Sequence, residues 1–71
     1  MNADLIDNNF TYHKPFGTQQ ERYVLLRDTA KDLAHKVNTM CPDSREKSLA
    51  MTKLEEAVMW ANASIARNEK E

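Results

Sequence analysis

The sequence contains one glycine, one cysteine, two prolines and two histidines in 71 residues. Each shortage excludes something. A single glycine, Gly17, leaves little room for a phosphate-cradling loop of the Gly-rich kind. A single cysteine, Cys41, excludes an internal disulfide; it stands beside Pro42 and reads as a small thiol filling a corner, and an unpaired thiol fits a reducing cytoplasm. Cys41, His13 and His35 have no recognised zinc spacing. Glu55-Glu56 and Glu69-x-Glu71 are adjacent acids, not helically spaced pairs, and read as a solvated face. No base–nucleophile pair and no acid–base pair stand out. The expectation is a protein that is not an enzyme, with no metal and no cofactor. Charge of one sign is also missing: 10 basic and 11 acidic residues leave a net charge of −1. A duplex nucleic-acid binder normally carries a clear basic excess. A small phosphate ligand needs only a few local cations, so it is not excluded. No stretch approaches the roughly 18 apolar residues of a membrane span, and MNADLIDNNF lacks the basic start and apolar run of a signal peptide. Asn62-Ala63-Ser64 matches a glycosylation sequon, but mid-helix and without a secretion signal it reads as chance.

What is present is helix. After Pro42 a long pattern runs to Glu69 with no glycine or proline to interrupt it. Met51, Leu54, Val58, Ala61 and Ile65 recur at spacings of three and four, which sets them on one face. Ala50, Ala57, Trp60 and Ser64 make a second face. One stripe suffices to cover a partner helix within the chain. A second, carrying the only tryptophan, implies another cover, and a second copy of the chain is the simplest. Trp60 reads as an interface anchor, not a ligand platform. Chain length points the same way: a single domain this small is marginal without a staple, and self-association is the staple left.

The preceding helix has its own signals. Thr18-Gln19-Gln20-Glu21 reads as a capping box. Tyr23, Leu26, Ala30, Leu33, Val37 and Met40 follow as a heptad-like seam. The residue before Pro42 is pushed out of the α region, so this helix should stop near Thr39 to Cys41. Pro42 suits the first turn of the next helix. A connection of a few residues forces the two helices antiparallel. Residues 1–17 read as non-helical: Asn8-Asn9 is turn chemistry, Pro15 and Gly17 punctuate, and Phe10 to His13 favours extended backbone. Met1 to Asp7 is either without fixed structure or a short turn around Leu5 and Ile6. The expected architecture is all-α: one domain over 1–71, with an arm at 1–17, a first helix at about 18–40 and a second at about 43–68.

Two places suit a ligand. Arg45, Lys47, Ser44 and Ser48 fall in the opening turns of the second long helix, where free N–H groups and the dipole already favour an anion; Arg45 adds a fork suited to phosphate. In the arm, Phe10, Tyr12, His13, Lys14 and Phe16 set rings beside a cation, and rings stack on nucleobases while a lysine meets phosphate. The rings can equally cover an exposed stripe of the hairpin. Arg22 and Arg27 lie near the same end of the first long helix, and Arg27 falls off the apolar seam, free for an interface or a ligand.

Taken together, NNFTYHKP, ERYVLLRDTAKDLA and PDSREKSLAMTKLEEAVMWANASIARNE resemble the phage anti-CBASS and anti-Thoeris sponges, which share a helical-hairpin domain. The resemblance runs from about Asn8 to Glu69 and is most specific in the last segment. It implies a non-enzymatic binder that assembles as a homo-oligomer, typically a hexamer. It implies capture, without degradation, of cyclic dinucleotides, cyclic trinucleotides or cyclic ADP-ribose isomers between protomers, in the host cytoplasm of a phage infection. It further implies that Tyr12 stacks on a base, that Arg27 stands where the anti-CBASS branch has a phosphate-binding lysine, and that Arg45 lines a separate pocket. A glycine that the anti-CBASS branch has in the first long helix is replaced here by Ala30 or Lys31, and FTYHKP looks closer to the anti-Thoeris branch. The ligand-binding set expected is therefore Phe10, Tyr12, Lys14, Arg22, Arg27, Arg45 and Ser48, with self and cyclic nucleotides as partners, and neither duplex nucleic acid nor membrane. The alternative is a helical-hairpin oligomer that receives a host protein as an adaptor.

Overall fold

The computed structural model describes residues 2–71. These form three α-helices, α1 (Ala3–Asn9), α2 (Gln19–Met40) and α3 (Arg45–Asn68), with no strand among the described residues. The all-helical expectation holds; the non-helical reading of residues 1–17 does not. Asn2 supplies a cap, its side-chain oxygen accepting the Asp4 N–H at 2.7 Å, and Asp4 sits in the first turn where an acid suits the dipole. The turn chemistry of Asn8-Asn9 ends this helix instead of preventing it. Seven residues are too few to hold a helix alone, and the docking is visible: Asn8 Nδ2 donates to the Arg67 carbonyl at 3.0 Å, tying α1 to the end of α3. The expectation for Met1 itself lies outside the described residues. The longest irregular stretch runs from Phe10 to Thr18, between α1 and α2. There Gly17 has φ +56°, a conformation that side-chain-bearing residues rarely adopt.

The start of α2 also departs from expectation. The capping box is not made, because Thr18 (φ −91°, ψ 10°) lacks the extended backbone of a box N-cap. Its hydroxyl accepts instead from Arg22 Nε at 3.2 Å. Gln19 takes over the joint: its backbone N–H donates to the Phe16 carbonyl at 3.0 Å, and its Oε1 accepts the Phe16 N–H at 3.1 Å. At 2% exposure Gln19 is the only buried residue among those described.

The end of α2 falls where proline puts it: Cys41 caps it in extended backbone before Pro42. Cys41 is exposed at the corner and fills no interior. The next helix starts later than expected. Ser44 is the N-cap, accepting the Lys47 N–H at 3.1 Å, so Pro42 belongs to the connection and not to the first turn of α3. Gln19 and Arg22 at the start of α2 meet Glu69 just past α3, and Lys47 near the start of α3 meets Asn38 near the end of α2. The pair therefore runs antiparallel, joined by a short connection.

Met51, Leu54, Val58, Ala61 and Ile65 are half-buried along α3, while Ala50, Ala57, Trp60 and Ser64 are exposed, as the two stripes require. The α2 seam splits. Tyr23, Ala30 and Val37 are half-buried, but Leu26, Leu33 and Met40 remain exposed. A single neighbouring helix covers one line of a heptad seam and leaves the other. The molecule measures 44 × 30 × 13 Å; its thinnest dimension is about one helix diameter, so both faces of the layer meet solvent. No apolar side chain is buried among the described residues. Accessible surface is 5911 Å², against about 4,500 Å² for a compact monomer of this mass. The radius of gyration is 15.3 Å, against about 11 Å for a compact chain of this length.

Candidate functional site

The flat layer has a groove on each side of the α2–α3 contact, and the two differ in chemistry. One, of about 400 Å³, has Ala30, Ala34, Leu54 and Val58 as floor and Arg27 and Lys31 on its α2 wall. Arg27 and Lys31 are four residues apart, one helical turn, so their charges project side by side. Met51, Glu55 and Met59 complete the α3 wall. The other groove, of about 320 Å³, is lined by Leu26, Leu33, Ala57 and Ala61 with Thr29 as its polar member. It carries Leu26 and Leu33 from the exposed half of the α2 seam and Ala57 from the second α3 stripe. The first groove is mostly apolar, with two exposed cations along one wall, which suits a flat ring bearing an anion. The second groove, without a charged residue in its lining, suits another helix.

Arg22 sits differently from Arg27. Five residues apart on a helix, the two are turned about 140° from one another. The Arg22 fork holds Glu69 at both ends, Nη1 to Oε2 and Nη2 to Oε1, each at 2.6 Å. Gln19 Nε2 adds a hydrogen bond to Glu69 Oε1 at 3.1 Å. These bonds, Arg22 first and Gln19 second, hold the Glu69 carboxyl down at about 2, and the same partner pushes Arg22 further up. Arg22 is thus paired within the chain, not presented to solvent as a free fork. Beside this end the arm carries its rings outward: Phe10 is 87% and Tyr12 82% exposed, and Lys14 is exposed. His13 turns inward, its Nε2 donating to the Asn8 carbonyl at 2.8 Å.

Arg45 and Ser48 lie at the other end of the hairpin, exposed in the first turn of α3. Their neighbour Lys47 is half-buried, bonding Asn38 O at 2.8 Å and Asp43 Oδ1 at 2.9 Å. The hydrogen bond and charge of Lys47 lower the Asp43 carboxyl from its ordinary range. From Arg27 to the end of α2 the helix rises about 20 Å. One protomer therefore does not gather the candidates into one place. The arm and Arg22 mark one end, Arg27 the middle, and Arg45 with Ser48 the other end.

Residues 1–66 match the model of the Acb2/Tad1 hairpin domain. The chain belongs to that family, the anti-CBASS and anti-Thoeris sponges. The match covers α1, the arm, α2 and nearly all of α3, and it starts earlier than the stretch from Asn8 that carries the resemblance in the sequence. No curated protein and no solved structure matches the chain. The family is one of binding domains, with a phage anti-defence role, and is not a known enzyme family. Among the described residues no cluster of three or more His, Cys, Asp or Glu side chains could hold a metal ion. No helix among them is long and apolar enough to cross a membrane.

Three residues of the site region escape the sequence reading. Lys31 had a usable signal, its spacing of four from Arg27. Gln19 and Glu69 had none, because they are 50 residues apart and meet only through the fold.

Proposed function

We propose that this member of the Acb2/Tad1 family is a phage counter-defence protein that sequesters cyclic-nucleotide immune signals in the host cytoplasm and does not degrade them. The observation that carries the reading is the groove with Arg27 and Lys31 on one wall. Its floor is apolar enough for a base, and its two cations stand one turn apart, near enough to share one anion. It is open on the solvent side, where a neighbouring protomer would supply the remaining wall. Tyr12 or Phe10 from an arm would stack on a base, with Lys14 beside the phosphate, and Arg45 with Ser48 would serve a separate pocket. Arg22 would take part only by exchanging Glu69 for a ligand anion.

Self-association belongs to the same proposal, as a homo-oligomer and, following the family resemblance, a hexamer. Its support is the surplus accessible surface and the exposed apolar line through Leu26, Leu33, Ala57 and Trp60. Capture by stoichiometry demands tight binding: roughly nanomolar affinity, about −12 kcal/mol. The ligand is a cyclic ADP-ribose isomer, a cyclic dinucleotide or a cyclic trinucleotide.

Native mass spectrometry of the protein with a panel of these ligands tests the reading, since subunit count and bound mass appear together. The expected result is an oligomer carrying whole-number ligand copies, with the ligand recovered intact after heating. A panel in which no member binds or raises the melting temperature sinks the proposal and favours a protein-binding adaptor. Recovery of a cleaved product would make the protein an enzyme.

A further inference from the structure

The N-terminal arm is held to the start of α2 by the Gln19 N–H on the Phe16 carbonyl, and two side-chain tethers run further, to the far end of α3. Asn8 Nδ2 reaches the Arg67 carbonyl at 3.0 Å. Gln19, the one buried residue described, links Phe16 to Glu69: its Oε1 accepts the Phe16 N–H, and its Nε2 donates to Glu69 Oε1. Glu69 is in turn fixed by the Arg22 fork. Arg67 and Glu69 both lie beyond the stretch that the family model matches.

Each partner has a defined task. An amide side chain has one carbonyl and one NH₂ group, and Gln19 spends the first on the arm and the second on Glu69. The carboxylate of Glu69 accepts from Gln19 and from both ends of the guanidinium, so it sets the orientation of the amide. Without that acceptor the buried Gln19 NH₂ group lacks its partner, so the amide orientation that presents an oxygen to the Phe16 N–H is no longer favoured. The backbone between Phe10 and Gly17 has no helical hydrogen bonds of its own to replace it.

We infer that Glu69, acting through Gln19, is a positioning residue that fixes the aromatic arm bearing Phe10 and Tyr12 at the open end of the hairpin. Ligand contact is left to the arm. The functional consequence rests on the proposed reading of that arm as a base-stacking element. A loose arm must be ordered when ligand binds, and that ordering weakens affinity.

The test is amide hydrogen exchange at Phe16 in the ligand-free full chain, compared among wild type, Glu69→Ala, Glu69→Gln and Gln19→Met. The expected result is exchange at least about tenfold faster in Glu69→Ala and Gln19→Met, with unchanged helical content. Glu69→Gln keeps a carbonyl acceptor for Gln19 and should retain most of the protection although it removes the charge. Titration with the cyclic-nucleotide panel should then show about tenfold weaker binding in Glu69→Ala and near wild-type binding in Glu69→Gln. Unchanged Phe16 exchange in Glu69→Ala overturns the inference, whatever Gln19→Met and the ligand results show. Faster exchange with unchanged affinity overturns its functional half. If wild type binds no cyclic nucleotide, the proposed function fails, while the exchange data still decide whether Glu69 holds the arm.

Discussion

Lys47 Nζ lies 2.8 Å from the carbonyl oxygen of Asn38, reaching from the first turn of α3 to the last turn of α2. That carbonyl is among the last four of its helix, which have no intrahelical partner. The same ammonium meets Asp43 at 2.9 Å in the connection between the helices. One cation therefore caps α2 and braces the turn, and its side chain is largely covered. Replacing Lys47 by Met keeps the stem and removes the charge. It should lower stability by about 1.5–3 kcal/mol, the range for a hydrogen bond to a charged group, read as a shift in the urea midpoint with little change in slope. A midpoint equal to wild type would show that solvent satisfies Asn38 equally well.

The reach of Lys47 illustrates what the sequence could and could not tell. Apolar periodicity was enough to separate the two α3 faces, because Met51 through Ile65 and Ala50 through Ser64 differ by rotation alone. Proline chemistry was enough to end α2 at Cys41. Local turn signals misled where a tertiary contact outweighed them. Asn8-Asn9 looked like a break, yet Asn8 docks a short helix through Arg67. Thr18 looked like a cap, yet its hydroxyl goes to Arg22. The heptad in α2 was legible as a pattern, but which half of it would be covered depended on how many helices lie beside it. The candidate site was legible as a set of residue types. Its dispersal over the length of the hairpin was not, since it follows from helix rise and from the side on which each residue falls.

Acid should loosen the open end of the hairpin. In the folded chain the Glu69 carboxyl is held at about 2, against 4.5 for the same group unperturbed. Between those values the unfolded chain binds the extra proton, so its population is favoured as pH falls. The contribution of the Arg22–Glu69 pair is therefore whole above about pH 4.5 and is lost as pH drops toward 2. Both partners are substantially exposed, so the effect is modest and salt-sensitive. Melting temperatures at pH 6 and pH 3 should differ less in Glu69→Gln than in wild type. Parallel curves for the two proteins would assign the acid sensitivity elsewhere, Asp43 with Lys47 being the next candidate.

Trp60 offers a direct readout of self-association, because it is the only tryptophan and is 65% exposed in the single chain. Its emission should be blue-shifted in the assembled protein and move to the red on dilution. Trp60→Glu places a charge on the same stripe and should drive the particle toward a single 8.2 kDa chain in sedimentation velocity. A wild-type sample that sediments as a folded monomer at high concentration would remove the basis for pockets shared between protomers. Sedimentation of Trp60→Glu as the wild-type oligomer would move the interface to another face.

The separation of the cations makes a final prediction about which ligands each one serves. Arg27 and Lys31 share a wall of one groove, whereas Arg45 stands beyond the end of α2, about 20 Å along the helix from Arg27. Arg27→Ala and Lys31→Ala should each weaken the same ligand, by about 10- to 100-fold for a lost charge-assisted contact. Their double variant should lose less than the sum, because neighbouring groups on one anion couple. Arg45→Ala should leave that ligand untouched and weaken a different member of the panel, with helical content intact. Titration calorimetry of the four variants against each ligand decides it. Loss of one and the same ligand in both Arg27→Ala and Arg45→Ala would bring the two arginines into a single pocket. At that separation within a protomer, such a pocket would draw Arg27 from one chain and Arg45 from another, and mixing the two variants would restore a fraction of the binding.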